Sequence, residues 1–408
     1  MMKRRDFVLN SLKGVMAVSV GGLLPACEFS NKNTDSFKID KIELFRYDSN
    51  IPRYFSWGTW YNRQQVFLKL TSGNHVGWSE TNGSTNNPDL DLNIWAQFLR
   101  PLLGINVYDA YKKIKENQVE SSNFSVPQLE FIEMNLLDLI GRIENKPAVE
   151  LLGLKGTAAV PGLFCILNND LREVEQNIYK AIDQKLDTHV KFKMYGKKEF
   201  DLQIAEMARK LLGEKAFILS DVNKGYKDWS QVEQLAEILI DLNKAGLNAC
   251  EDPAKLTNEQ WIQLQNEVGD LDLIPDYVLR PAWEGIGRIE AGMGRYFNMH
   301  PDTMGSFHHL PAMSEKIKSF DAGIMIGDAS LVGPACSAWQ QVAIGVGASW
   351  VEAIEKQEDS EAYLNCVITK PTFRNNEGRF AMKKVPGFGV ELDEDKLKSF
   401  CAQSVSII

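Results

Sequence analysis

Apolar and polar residues along the first third of the chain follow two different periods. Lys38-Ile39-Asp40-Lys41-Ile42-Glu43-Leu44 alternates, the period-two pattern of a half-buried strand. Gln65–Leu70 and His75–Glu80 predict two further strands, joined across the turn residues Ser72-Gly73-Asn74. Ile94, Phe98 and Leu102 then recur at helical spacing, as does the stretch from Leu129 to Ile143. Three antiparallel strands followed by helices predict a small α+β domain over residues 37–155.

From residue 156 the pattern becomes a rhythm. Strand-like apolar runs recur at Val160–Leu167, Val190–Met194, Phe217–Asp221, Leu247–Glu251, Leu271–Asp276, Phe297–His300, Gly323–Ile326 and Trp350–Ile354. Helix-like segments such as Leu171–Leu186, Gln203–Leu212 and Gln231–Ala245 separate them. Short strands alternating with helices at roughly 24–30 residues per unit predict a closed parallel barrel. An open doubly wound sheet would carry a Gly-rich phosphate turn after its first strand, and none follows Leu167. The fold class expected is α/β: an α+β N-terminal capping domain, then a (β/α)7-8 TIM-like barrel over 156–370, then a C-terminal segment over 371–408.

Composition changes this picture little. A chain of 408 residues with 44 % hydrophobic and 24 % charged residues buries enough core to need no disulfide or structural metal. A net charge of −9 argues against nucleic acid as a partner, because phosphate binding draws on a Lys/Arg excess. Cys165, Cys250, Cys336, Cys366 and Cys401 form no Cys-x-x-Cys pair and are expected to be small core residues.

The start of the chain is different. Lys3-Arg4-Arg5-Asp6-Phe7 precedes an uncharged run from Gly14 to Ala26, the charged and apolar regions of an export signal. The Arg-Arg-x-Phe order resembles a twin-arginine signal. Leu24-Pro25-Ala26-Cys27 resembles a lipoprotein box, in which Cys27 is lipidated and becomes the new N-terminus. Residues 1–36 are therefore expected to be signal, anchor and polar tether, placing the protein on the periplasmic side. The only membrane contact expected is that N-terminal lipid.

Chemistry in a parallel barrel belongs at the C-terminal ends of the strands. The second strand ends Lys191-Phe192-Lys193, and a side-chain period of two points both lysines the same way. The next three end in Asp221, Glu251 and Asp276. Three carboxylates converging at one rim resist burial unless a cation neutralises them. Oxygen ligands without His or Cys suit Mg²⁺, with Mn²⁺ second. Such an arrangement can bind a substrate carboxylate and remove the proton beside it.

These residues resemble the enolase superfamily, in its mandelate racemase/muconate-lactonizing group, over about Phe37 to Leu397. Val76-Gly77-Trp78-Ser79-Glu80 is similar to a family strand, and Ile132 to Gly141, with Lys146-Pro147 and Leu151-Leu152-Gly153, resembles its most regular helix. Lys191-x-Lys193 resembles the paired-lysine motif; Asp221-Val222-Asn223, Glu251-Asp252-Pro253 and Asp276 resemble the three metal-ligand strands. Pro386 to Leu392 is similar to the closing segment that returns to the first domain. The resemblance implies Mg²⁺ held by Asp221, Glu251 and Asp276, with Asn223 behind them. Lys191 would help hold the substrate carboxylate and Lys193 would act as the base, its pKa lowered by Lys191, the metal and burial.

The chain departs from the pattern at two places. Asn298-Met299-His300-Pro301 puts His300 where relatives carry a sixth-strand Lys, and Asp276-Tyr277 replaces Asp-Glu. His300 is expected to serve the opposite face of the substrate carbon, paired with Asp328 at the end of the seventh strand. Glu352 and Glu355 are candidates for the pocket floor, while His308 and His309 are expected at the surface or capping a helix. The aromatic segment Ile51 to Trp60 suits a lid, with Arg53 free to meet an anionic tail. The function expected is Mg²⁺-dependent abstraction of the proton α to a carboxylate through an enediolate. Racemisation or epimerisation of an amino-acid derivative or dipeptide leads; cycloisomerisation or dehydration of a hydroxy or sugar acid is the alternative. A tethered, non-catalytic binding lipoprotein is the reading of another class. The partner expected is a small-molecule carboxylate, with a homo-oligomer left open.

Overall fold

The structure, a computed structural model, describes residues 37–117, 124–156 and 159–408. The expected export signal, Cys27 and the tether lie outside the described residues. A four-stranded antiparallel sheet opens the fold, in the order Gln403–Ile407, Lys41–Ser49, Arg63–Ser72, His75–Thr85. The sequence predicts three of these strands; the fourth is the end of the chain, returning to pair Ile42 with Ile407.

The helix Val126–Glu144 packs across this sheet and is buried from Leu129 to Gly141. Its Asn135 side chain donates to the carbonyls of Leu68 and Gly77, at 2.9 and 3.0 Å. Gly77 is glycine because a Cβ there would collide with Asn135. One turn on, Asp138 accepts from the backbone N–H groups of Trp78 at 2.8 Å, Phe388 at 2.6 Å and Gly389 at 3.2 Å. Gly387, at φ +68°, leaves no room for a side chain against Asp138. Buried polar groups need partners, so Asn135 binds the helix to the sheet and Asp138 binds the closing segment to the first domain.

Among the described residues the barrel is closed and has eight strands. Phe164–Ile166, His189–Lys193, Phe217–Asp221, Ala249–Glu251 and Asp272–Ile274 pair in parallel in that order. Tyr296–Met299, Gly323–Ile326 and Trp350–Val351 form a second parallel group. Asn298 N–H donates to Pro275 O at 3.0 Å and Leu163 N–H to Val351 O at 2.8 Å, joining the groups at both seams. The end holding the strand N-termini is plugged by aromatic rings: Trp350 lies 4.5 Å from Tyr296 and 5.1 Å from Phe217, centroid to centroid. Beneath them Leu163, Leu219, Ala249, Ile274 and Met325 fill the interior. The opposite end gathers the polar side chains of the strand ends. The described cysteines are unpaired, four buried and Cys401 half-buried.

Glu80 and the aromatic segment help to fix the capping domain over that end. Glu80 accepts from the N–H groups of Val332, Gly333 and Ala335 after the seventh strand, at 2.7, 2.8 and 3.2 Å. The aromatic segment forms a hairpin, Arg53–Phe55 against Gly58–Trp60, with Phe55 and Trp57 stacked at 4.8 Å. At its tip Ser56 donates to Asn223 O at 3.2 Å.

Candidate active site

The strand-end residues gather at one place. Lys191 and Lys193 lie on the second barrel strand, Asp221 and Glu251 end the third and fourth, and Asp276 follows the fifth by two residues. His300, Asp328 and Glu352 follow the sixth, seventh and eighth. A cavity of about 450 Å³ opens above them, lined by Lys193, Asn223, Asp276, His300, Asp328 and Glu352 and roofed by Phe55, Trp57 and Trp60. Lys191, Asp221 and Glu251 are buried beneath its floor.

Cations and carboxylates alternate there. Lys191 Nζ lies 3.0 Å from Glu251 Oε2 and 2.6 Å from Glu352 Oε2. Lys193 Nζ donates to Asp221 and, at 3.0 Å, to Asn223 Oδ1. Asn223 donates its amide and N–H back to Asp221, at 3.2 and 2.9 Å, so it orients both partners. Asn298 Nδ2 donates to Glu251 Oε1 at 2.6 Å. Burial alone would raise Asp221; Lys193 and Lys191 outweigh it and hold the carboxyl at about 2. Burial and the neighbouring Asp221 push Glu251 up, and burial with Asp276 and Asp221 pushes Asp252 up to about 8.

Among the protein's own groups, burial opposes the charge on Lys193 and the Asp221 carboxylate outweighs it, so its pKa is raised. Other expectations are corrected here. His300 and Asp328 do not pair: Asp328 takes the half-buried Lys356 at 2.5 Å and the N–H of Leu331 at 3.0 Å. His300 Nδ1 lies 2.8 Å from Pro301 O. A carbonyl only accepts, so Nδ1 carries the proton and Nε2 is the basic nitrogen. Burial and then Arg280 lower the His300 pKa. Arg53 is not free to meet a substrate; it is buried and paired, with Arg63, to Asp359 beyond the eighth strand. Glu355 pairs with Lys370 at 2.7 Å instead of entering the cavity. His308 is half-buried, 3.1 Å from the buried Glu133, whereas His309 stands at the N-cap of the helix Leu310–Lys318, as expected, without a side-chain capping bond. Tyr277 sends its hydroxyl to Leu256 O at 3.1 Å; the lysines are oriented by Glu251, Glu352, Asp221 and Asn223 instead.

Three members of the site carry no role in the sequence reading. Asp252 lines the cavity at φ +42°, Lys356 neutralises Asp328, and Arg280 enters beside His300 and takes Asp276. Asp252 directly follows Glu251 and Arg280 stands four residues beyond Asp276, whereas Lys356 has no such local signal.

The donor set suits a hard divalent cation. Asp221, Asp252, Glu251, Asp276, Asp328 and Glu352 face Lys191, Lys193, Arg280 and Lys356. Six carboxylates against four cations leave an excess of two negative charges when all are ionised, which adds to burial in raising Glu251 and Asp252. Among the described residues no three such ligands stand together as a ready set, because Asp276 is turned to Arg280, Asp221 to Lys193 and Glu251 to Lys191 and Asn298.

Residues 173–396 match the family model described as enolase C-terminal domain-like. The chain belongs to the enolase superfamily. Muconate cycloisomerase 1 of Acinetobacter baylyi is 23 % identical over 362 residues, 85 % of this chain and 94 % of that one. Among solved structures, a muconate lactonizing enzyme of Pseudomonas fluorescens complexed with muconolactone superposes with a TM-score of 0.74 at 20 % identity, over 90 % of this chain and 100 % of the other. A dipeptide epimerase of Cytophaga hutchinsonii, complexed with Mg and D-Ala-L-Val, gives 0.74 at 18 % identity, over 91 % and 100 %. These superfamily relatives are isomerases of the mandelate racemase/muconate-lactonizing group, and this chain is an enzyme of that group with the capping domain and barrel they share.

Proposed function

We propose that this superfamily enzyme removes the proton α to a carboxylate, through an enediolate, and returns a proton to the same carbon. The substrate class proposed is an N-acyl amino acid or dipeptide, and the reaction racemisation or epimerisation. The observation that carries this reading is that Lys193 and His300 reach one cavity from the second and sixth strands of an eight-stranded barrel. Those strands stand opposite each other across the barrel, so two proton-carrying groups flank one space. A 1,1-proton shift needs a base on one face and an acid on the other.

Asp221, Glu251 and Asp276 would hold Mg²⁺, or Mn²⁺ in its place, which when bound offsets the charge of the substrate carboxylate and acidifies the neighbouring proton. The chain's own residues do the rest. Asn223 fixes the Lys193 ammonium against Asp221, Pro301 O fixes the His300 tautomer, and Phe55, Trp57 and Trp60 exclude water above them. Incubating the Mg²⁺-loaded protein with N-acyl amino acids, dipeptides and sugar acids in D₂O tests the reading: deuterium should enter at the α-carbon. No incorporation from any of them would refute it.

A second reading is favoured by the similarity to muconate cycloisomerase over 94 % of that chain. In a cycloisomerisation, or a dehydration, one base suffices and His300 is dispensable. Export by the Arg4-Arg5 signal and anchoring through lipidated Cys27 are part of the proposal, supported by the residue order at the start of the chain.

A further inference from the structure

A second concavity, of about 710 Å³, adjoins the central cavity and shares Trp57, Asn223, Lys224 and Tyr277 with it. Its outer part is lined by Tyr226, Lys227, Trp229 and Lys255. The aromatic walls are fixed. Tyr226 donates its hydroxyl to Asp201 at 2.9 Å, Trp229 its indole N–H to Tyr226 O at 3.2 Å, and Tyr277 its hydroxyl to Leu256 O at 3.1 Å. Trp57, at the hairpin tip, is 55 % exposed over the seam between the two spaces.

The lysines are the unusual feature. Lys224 lies over the Tyr277 ring at 4.3 Å, with its backbone at φ +61°. Lys227 and Lys255 are exposed. No carboxylate among the described residues forms an ion pair with any of the three, although the neighbouring Asp228 is at hand. The chain as a whole carries −9, so a concavity with three unpaired ammonium groups is the reverse of the average surface. A concave wall concentrates the field of such charges, and flat indole faces take rings and planar groups.

We propose that this groove is a second subsite, taking the end of the substrate remote from the reacting carbon: a planar or ring-bearing segment that ends in a carboxylate. The inference rests on the reading of the central site, and it adds that the substrate outgrows the central cavity and is charged at both ends. Lys224 stands at the passage between the spaces, and Lys227 and Lys255 receive the distal carboxylate.

Two probes that differ only at the far end test it: N-(4-carboxybenzoyl)glycylalanine and its 4-carbamoyl counterpart, titrated calorimetrically into the Mg²⁺-loaded protein at low salt. The carboxylate probe should bind roughly three- to tenfold tighter, the range of two exposed charge contacts, and added salt should shrink the difference. In the Lys227→Gln/Lys255→Gln variant the preference should vanish while the carbamoyl probe binds as before. Equal binding by the wild type, or a preference that survives the double substitution, overturns the subsite. The truncated pair 4-carbamoylbenzoate and terephthalamide separates this inference from the reading beneath it. If neither dipeptide probe binds but 4-carbamoylbenzoate keeps a lysine-dependent preference, the central reading fails and the groove stands. If the truncated pair shows no preference either, both fail.

Discussion

Arg280 meets both carboxylate oxygens of Asp276, its Nε at 2.9 Å from Oδ1 and its Nη2 against Oδ2. This fork is the strongest geometry a guanidinium offers a carboxylate, and Asp276 itself is buried. A metal that uses Asp276 has to displace Arg280 or share the carboxylate with it. Charge-assisted hydrogen bonds contribute about 1.5–3 kcal/mol. Arg280→Gln should therefore tighten Mg²⁺ binding by roughly tenfold or more, read by calorimetry without substrate. Weaker binding in that variant would mean that Arg280 orients Asp276 for the metal rather than competing with it.

A second relationship predicts how stability follows pH. Glu130 accepts from the N–H groups of Asp302 at 2.6 Å and Gly305 at 2.9 Å, tying the long helix of the capping domain to the loop that follows His300. Burial, then the nearby Asp302, raise Glu130 to about 8, and burial raises Asp302 to about 6 against the hydrogen bonds from Thr81 and Asn82. Both folded values lie above the ordinary carboxylate values of 4.5 and 3.8. The folded state thus binds more protons, so its stability is fully present below those ordinary values and is lost as pH rises towards 8. Denaturant unfolding should show stability falling between pH 5 and 8 by at most about 1.4 kcal/mol per pH unit for each group. Glu130→Gln, which carries no proton to lose, should flatten the slope. An unchanged slope in that variant would remove Glu130 from the account.

The sequence reading and the structure agree where the signal is local. The strands Phe217–Asp221 and Gly323–Ile326 have the bounds that the pattern predicts, because apolar runs and flanking turn residues are read residue by residue. Others come out shorter: Trp350–Val351 ends before Glu352, whose side chain turns to Lys191. Convergence of Lys191, Lys193, Asp221, Glu251 and Asp276 was legible because barrel topology places every strand end on one rim. Partners were not. Arg53 looks free in its aromatic segment because Asp359, its counter-ion, stands 306 positions away. Asp328 and Lys356 are 28 apart, on different strand ends. Burial and pairing over such separations decide which charges face a substrate, and no local pattern records them.

The export reading has its own test. If Cys27 carries lipid, the wild type should sediment with membranes, and Cys27→Ala should appear in the soluble periplasmic fraction. Replacing Arg4 and Arg5 by Lys should leave precursor in the cytoplasm if the twin-arginine route is used. Export that continues unchanged after the double replacement would assign the general secretory route instead.

Lys193 and His300 carry the last prediction. Each lines the cavity, and each is held by a partner that fixes its nitrogen: Asp221 and Asn223 for Lys193, Pro301 O for His300. If they serve opposite faces of one carbon, their losses should be asymmetric. His300→Asn should lower racemisation by roughly 10²–10⁴-fold, the usual worth of a positioned acid or base. It should still exchange the α-proton of the enantiomer that Lys193 faces, seen by NMR in D₂O. Lys193→Ala should show the mirror pattern, with exchange confined to the other enantiomer. Because Asp328 is taken by Lys356, Asp328→Asn should leave the enantiomer pattern of exchange untouched, which a His300–Asp328 couple would not allow. Full turnover by His300→Asn would make His300 a bystander. A one-base cycloisomerisation or dehydration would then be the better account of the site.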